Sequence, residues 1–100
     1  MALFVMSMSW TEKGIHTIRD WPKRADDARS YAKKVGVEIK QVYLTAGDND
    51  LLAIIEAPSA DNVARFALGV GAHGNVRTKT AQAWTEAELV KLVTDLPAGP

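Results

Sequence analysis

An α+β fold, with helices laid over one face of a single antiparallel sheet, is predicted by three observations on this 100-residue chain. The first is a hairpin in Val42–Pro58, where two β-rich runs flank Gly47-Asp48-Asn49-Asp50, residues that tolerate positive φ or hydrogen-bond their own backbone. The second is the order of periodicities, β-α-β-β-α-β with one more helix at the end. That order is the ferredoxin-like arrangement, which places the first and third strands at the centre of the sheet. The third is that the first and third strands are also the two most apolar, as central strands should be.

The opening strand, Ala2–Trp10, puts Ala2, Phe4, Met6, Met8 and Trp10 on one face at period two. Its other face runs from Leu3 and Val5 to Ser7 and Ser9. Thr11 offers an N-cap for a short helical segment, Glu12–Arg19, which Pro22 ends. Pro22 also suits the first position of a fresh helix, with Asp20 upstream as a cap, and Ala25, Ala28, Ala32 and Val35 form its buried stripe. Small residues on that stripe imply close packing on the sheet. Gly36 is the C′ residue in left-handed conformation.

The first hairpin strand, Val37–Ala46, loses its alternation near Lys40–Gln41, which predicts a bulge, and its polar residues suit a sheet edge. Leu51–Ala57 is apolar without interruption from Leu51 to Ile55, so both its faces should be covered. A second main helix starts at Pro58-Ser59, turns Val63, Ala64, Phe66, Ala67 and Val70 inward, and gives way to a loop through Gly69, Gly71 and Gly74. Asn75–Trp84 is the last strand. Thr85 and Glu88 form a capping box that opens a C-terminal helix carrying Leu89, Leu92, Val93 and Leu96. Residues 1–96 make one domain, and 97–100 a frayed tail.

Twelve basic and twelve acidic residues cancel, so no global field draws in nucleic acid or an anionic membrane. The absence of cysteine removes disulfides, thiolate metal sites and a cysteine nucleophile together. No apolar run approaches the ~20 residues of a spanning helix, and Met1–Trp10 lacks the basic start of a targeting segment. A cytoplasmic location is the resulting expectation. The helices should leave one sheet face bare, and the apolar residues there exceed what a monomer ordinarily exposes. A second subunit packed face to face, as a dimeric α+β barrel, is the expected cover; the alternative is that the C-terminal helix folds back over that face.

Candidate chemistry is sparse. His73 stands in the glycine-rich loop ahead of Asn75, Arg77 and Lys79, where an imidazole beside cations can act as a base or hold an anion. The glycine spacing matches no phosphate-binding fingerprint. Arg77 and Lys79 share one strand face. His16 and Asp20 suit a surface pair better than a metal site, and Asp48 and Asp50 lack the twelfth-position glutamate of a calcium loop. No metal and no cofactor are expected. Trp10, Tyr43 and Trp84 lie near strand ends, where filling the core is their default role; Trp10 and Tyr43 also carry a hydrogen-bonding atom for a ligand.

Several pieces together resemble the GYD domain family of small bacterial proteins. They are Ser9-Trp10-Thr11 with Gly14-Ile15, Pro22-Lys23-Arg24-Ala25, Tyr43 before Thr45-Ala46-Gly47, Glu56-Ala57-Pro58, and Gly74-Asn75-Val76-Arg77-Thr78. The resemblance implies a ferredoxin-like fold of dimeric α+β barrel type, and it implies no particular activity. The name-giving Gly-x-Tyr-Asp pattern stands here as Gly47-Asp48-Asn49-Asp50, with Asn49 in the tyrosine position.

The leading functional expectation is a homo-oligomeric protein that binds a small molecule in a pocket lined by Trp10, Tyr43, Asp50, His73 and Arg77. The alternative is a cofactor-independent enzyme of monooxygenase or isomerase type, with His73 or Asp50 as base in a water-excluding pocket. A third is a purely structural partner protein. Fold alone does not choose among them.

Overall fold

The computed structural model describes residues 1–99; of the expected tail, residue 100 lies outside them. The elements run β1 (Ala2–Trp10), α1 (Glu12–His16), α2 (Trp21–Lys34), β2 (Glu38–Leu44), β3 (Leu51–Ala57), α3 (Ala60–Ala72), β4 (Val76–Ala83) and α4 (Glu86–Thr94). The four strands form one sheet in the order β2-β3-β1-β4, antiparallel throughout. This is the ferredoxin-like α+β fold, with the two apolar strands β1 and β3 at its centre.

The register explains the core. Met8 faces Leu51, Met6 faces Ala53 and Phe4 faces Ile55 across β1 and β3, and all six are buried beneath α2 and α3. Ala32 of α2 and Val63 and Phe66 of α3 close the layer from above. Of the alanine stripe on α2 only Ala32 is buried, and Ala25 and Ala28 face open space, so the expected close packing on the sheet holds at the C-terminal part of the helix alone. The intervening positions on β3, Leu52, Ile54 and Glu56, are only half-buried, because they point to the face without helices. In β3, despite its continuous apolarity, one face is therefore covered within the chain, not two.

The bulge appears where the alternation breaks, between Ile39 and Gln41, and β2 is an edge strand. Gly36 takes φ of 78°, ending α2 as a left-handed C′ residue. The Thr85–Glu88 capping box forms with both reciprocal hydrogen bonds.

Four local readings change. The first helical segment divides into α1 and a single 3-10 turn, Ile18–Asp20, and Trp21 already belongs to α2. Asp20 precedes α2 without a capping hydrogen bond from its side chain. The α3 helix continues through Gly69 and Gly71 to Ala72, so His73 caps a helix rather than occupying a loop, and only Gly74 of the three glycines has positive φ. Gly69 is needed there for a different reason: a Cβ would run into the Tyr31 ring of α2. Finally, Tyr43 and Trp84 are 47% and 55% exposed, so neither fills the core.

The last helix does not fold back over the bare sheet face. Leu89, Val90, Leu92 and Val93 of α4 are each more than half exposed. The radius of gyration is 15.7 Å, larger than the ~13 Å of a compact 100-residue chain, because α4 stands away from the body. Among the described residues no helix is long and apolar enough to cross a membrane.

Candidate functional site

A cavity of about 690 Å³ opens between α2 and the sheet, within the range of small-molecule sites. Its floor is Met8 and Trp10 of β1, Leu51 and Ala53 of β3 and Val42 of β2. The α2 wall is Trp21, Pro22, Arg24, Ala25, Ala28 and Arg29, and α3 contributes Phe66 and Val70. The sequence makes this space: alanines at 25 and 28 face the sheet where larger residues would fill it. Trp10 and Trp21 meet edge to face at 6.0 Å at its wall.

Beside the cavity, its lining residues Trp10, Arg24 and Asn75 belong to a network in which backbone and side chains alternate. Thr11 caps α1 by accepting from the Gly14 N–H at 3.1 Å, and its hydroxyl donates to the Gly74 carbonyl at 2.6 Å. The Thr11 N–H donates to the Asn75 carbonyl at 3.0 Å. Arg24 reaches from α2 to α1, its Nη1 donating to Thr17 Oγ1 and its Nη2 to the Gly14 carbonyl, each at 3.1 Å. Asp50, at the other end of the β2–β3 turn, accepts from the Trp10 N–H at 2.9 Å. The segments Ser9-Trp10-Thr11, Gly14, Arg24 and Gly74-Asn75, far apart in sequence, thus meet at one place.

Two polar atoms there have no partner. Trp10 Nε1 and Arg24 Nε are buried and make no hydrogen bond among the described residues. Leaving a buried donor unsatisfied costs roughly 1–3 kcal/mol. The guanidinium of Arg24 also forms no ion pair among the described residues.

The five residues expected to share one pocket are divided by the sheet. Trp10 lines the cavity, and Asp50 lies behind it as a backbone anchor. Tyr43 pairs with Leu52, and Arg77 with Ser9, which puts both on the opposite, helix-free face; the Tyr43 hydroxyl donates to Gln41 at 2.6 Å. His73 is exposed at the end of α3, where its carbonyl accepts from Lys13 Nζ at 2.9 Å. Period-two alternation places Trp10 and Arg77 on opposite faces once β1 and β4 are paired, but the pairing itself is not visible in sequence. Arg24 and Trp21 were missed. Their signal is faint: an arginine and a tryptophan beside Pro22, at the start of a helix whose buried stripe is alanine.

Among the described residues no group of three His, Cys, Asp or Glu is placed to hold a metal ion. The arrangement suits reversible binding of an apolar body, with three arginines among the lining residues.

The fold is shared with larger proteins. MtbAldR superposes with a TM-score of 0.65 at 16% identity, over 85% of this chain and 52% of that one. The feast or famine regulatory protein from M. tuberculosis, complexed with L-methionine, gives 0.56 at 16% identity, over 85% and 51%. This chain spans about half the length of each. A hypothetical protein from Pyrococcus horikoshii gives 0.53 at 18% identity, over 86% of this chain and 93% of that one. In sequence, the glutamine synthetase and cystathionine beta-lyase binding protein of Thermus thermophilus is 29% identical over 91 residues, covering 90% of this chain and 96% of the relative. The GYD domain profile matches residues 4–93, and the chain belongs to the GYD domain family.

Proposed function

We propose that this GYD domain protein is a cytoplasmic homo-oligomer that binds a small molecule in the cavity between α2 and the sheet. The observation that carries the reading is the cavity itself: about 690 Å³, walled largely by apolar side chains. Self-association is supported by two apolar surfaces. Leu3, Val5, Leu52 and Ile54 lie on the sheet face that no helix covers, and α4 exposes Leu89, Leu92 and Val93. Burying a leucine- or valine-sized side chain contributes about 1.5–3 kcal/mol, so joining these surfaces across protomers gives a substantial driving force.

Native mass spectrometry of the protein purified from its own host tests both halves at once. The expected result is a multimer whose mass exceeds the polypeptide sum by a retained small molecule. A monomer overturns the assembly, and a multimer that takes up no small apolar molecule overturns the ligand site.

A second reading is an enzyme-binding protein, and it is favoured by the unpartnered α4 together with the name of the Thermus thermophilus relative. It predicts that glutamine synthetase or cystathionine beta-lyase from the same host is retained on the immobilised protein, and that changing α4 abolishes the retention.

A further inference from the structure

We propose that the ligand of this cavity is an apolar-bodied carboxylate without an α-amino group, held by Arg24. The inference rests on the small-molecule reading above and names the chemical class that the same site takes. Three arginines, Arg19, Arg24 and Arg29, line the cavity, and no aspartate or glutamate does. In a chain whose formal net charge is zero, this is a local concentration of one sign. Low-dielectric walls focus such a field and raise the local concentration of anions.

Of the three, Arg24 is set apart by its surroundings. It is only partly exposed, whereas Arg19 and Arg29 are exposed. Its two terminal nitrogens donate to neutral acceptors, Thr17 Oγ1 and the Gly14 carbonyl, so its position is fixed while its charge stays uncompensated. A carboxylate is the small anion that offers several acceptor sites in one plane, and charge-assisted bonds to it are roughly twice as strong as neutral ones.

The rest of the wall defines the body of the ligand. Met8, Trp10, Ile18, Trp21, Val42 and Phe66 present aliphatic and aromatic surface, and Asn75 is the one uncharged polar side chain among the lining residues. A free α-amino acid brings an ammonium group that needs an acidic partner or a set of acceptors. The lining provides cations instead. The site therefore favours the carboxylic acid over the amino acid of the same carbon skeleton.

Calorimetric titration of the wild-type protein with three probes of one phenylbutyl body tests this: 4-phenylbutanoate, 4-phenyl-1-butanol and L-homophenylalanine. The acid is expected to bind about tenfold or more tightly than either the alcohol or the amino acid, a difference readily resolved. Raising NaCl about tenfold should weaken the acid severalfold and leave the alcohol unchanged. Arg24→Met should lower the acid's affinity to that of the alcohol. Because Arg24 also ties α2 to α1, this variant can fail to fold, and the acid-to-alcohol ratio and its salt dependence then decide on wild-type protein alone. Equal affinity for acid and alcohol overturns the anion assignment and leaves the cavity an apolar site. An amino acid that binds as tightly as the acid overturns the exclusion of the ammonium group. Failure of all three, and of 8-anilinonaphthalene-1-sulfonate, to bind overturns the small-molecule reading and this inference with it.

Discussion

The Asp50 carboxylate holds the main chain of Trp10: the Trp10 N–H donates to Asp50 Oδ2 at 2.9 Å, while the Asp50 N–H donates to the Met8 carbonyl at 2.9 Å. The two bonds extend the β1–β3 pairing past its last register pair, Met8 with Leu51. They set where the indole at the end of β1 enters the cavity. An aspartate in the turn thus acts on the site through the backbone.

Asp50→Ala removes an acceptor from a partly buried N–H. Hydrogen bonds to charged groups contribute about 1.5–3 kcal/mol, and a loss of that size is expected in urea unfolding. Asp50→Asn keeps an acceptor oxygen at the same position and should cost less than half as much. Affinity for 4-phenylbutanoate should fall in the alanine variant, because Trp10 is no longer held.

Gly14 packs directly against the backbone of Asn75. A Cβ on this residue would run into the Asn75 carbonyl, which already accepts from Thr11. Backbone on both sides leaves neither partner free to move, so Gly14→Ala should destabilise by about 2–4 kcal/mol, the range of serious overpacking and strain. Thermal unfolding checks this. Gly71→Ala, where nothing lies within 4 Å of the new methyl, should stabilise α3 by up to about 1 kcal/mol, since glycine is the poorer helix former.

Ala28 stands on the α2 wall of the cavity. Ala28→Phe places a ring in space that is already open, so the melting temperature should hold or rise. Binding of 4-phenylbutanoate should fall about tenfold or more. Unchanged binding in this variant places the ligand elsewhere.

On α4, Leu89 and Leu92 are 54% and 51% exposed. Exposed positions of this kind usually change monomer stability by no more than about 0.5 kcal/mol when substituted. The double variant Leu89→Asp, Leu92→Asp should therefore keep the monomer folded while light scattering reports a shift from multimer to monomer mass. A multimer of unchanged mass assigns assembly to the bare sheet face instead, and Ile54→Lys should then dissociate it.

Much of the fold was legible because its signals are local. The Gly47–Asp50 turn chemistry, the lost alternation at Lys40–Gln41 and the Thr85–Glu88 box each depend on residues within a few positions of one another, and each appears in the structure at its place. The glycines of α3 misled for an equally physical reason. Gly69 reads as a helix terminator by propensity, but its function is to admit the Tyr31 ring, a contact between helices 38 positions apart in the chain. Tertiary packing outweighs a propensity of about 1 kcal/mol.

The candidate site was less legible than the fold. Trp10 could be selected as an aromatic residue at the end of a strand, yet Tyr43 and Arg77 looked equally suitable until β2 and β4 were paired with their neighbours. Pairing decides the face, and a one-residue difference in register moves a side chain to the other side of the sheet. Arg24 lies outside the alanine stripe of α2, and nothing in its spacing sets it apart from the other charges of that helix.

The sequence by itself determined the ferredoxin-like order of elements, the central position of β1 and β3, the bulge and the caps at Thr11, Gly36 and Thr85, since hydrophobic period and turn chemistry act over a few residues. Only the tertiary structure decided that α2 stands off the sheet far enough to leave a cavity, that Arg24 and Trp10 meet at its wall, and that α4 projects with its apolar side exposed. Those features depend on how close two separately specified elements approach, and that distance follows from the summed volumes of side chains drawn from segments far apart in the chain.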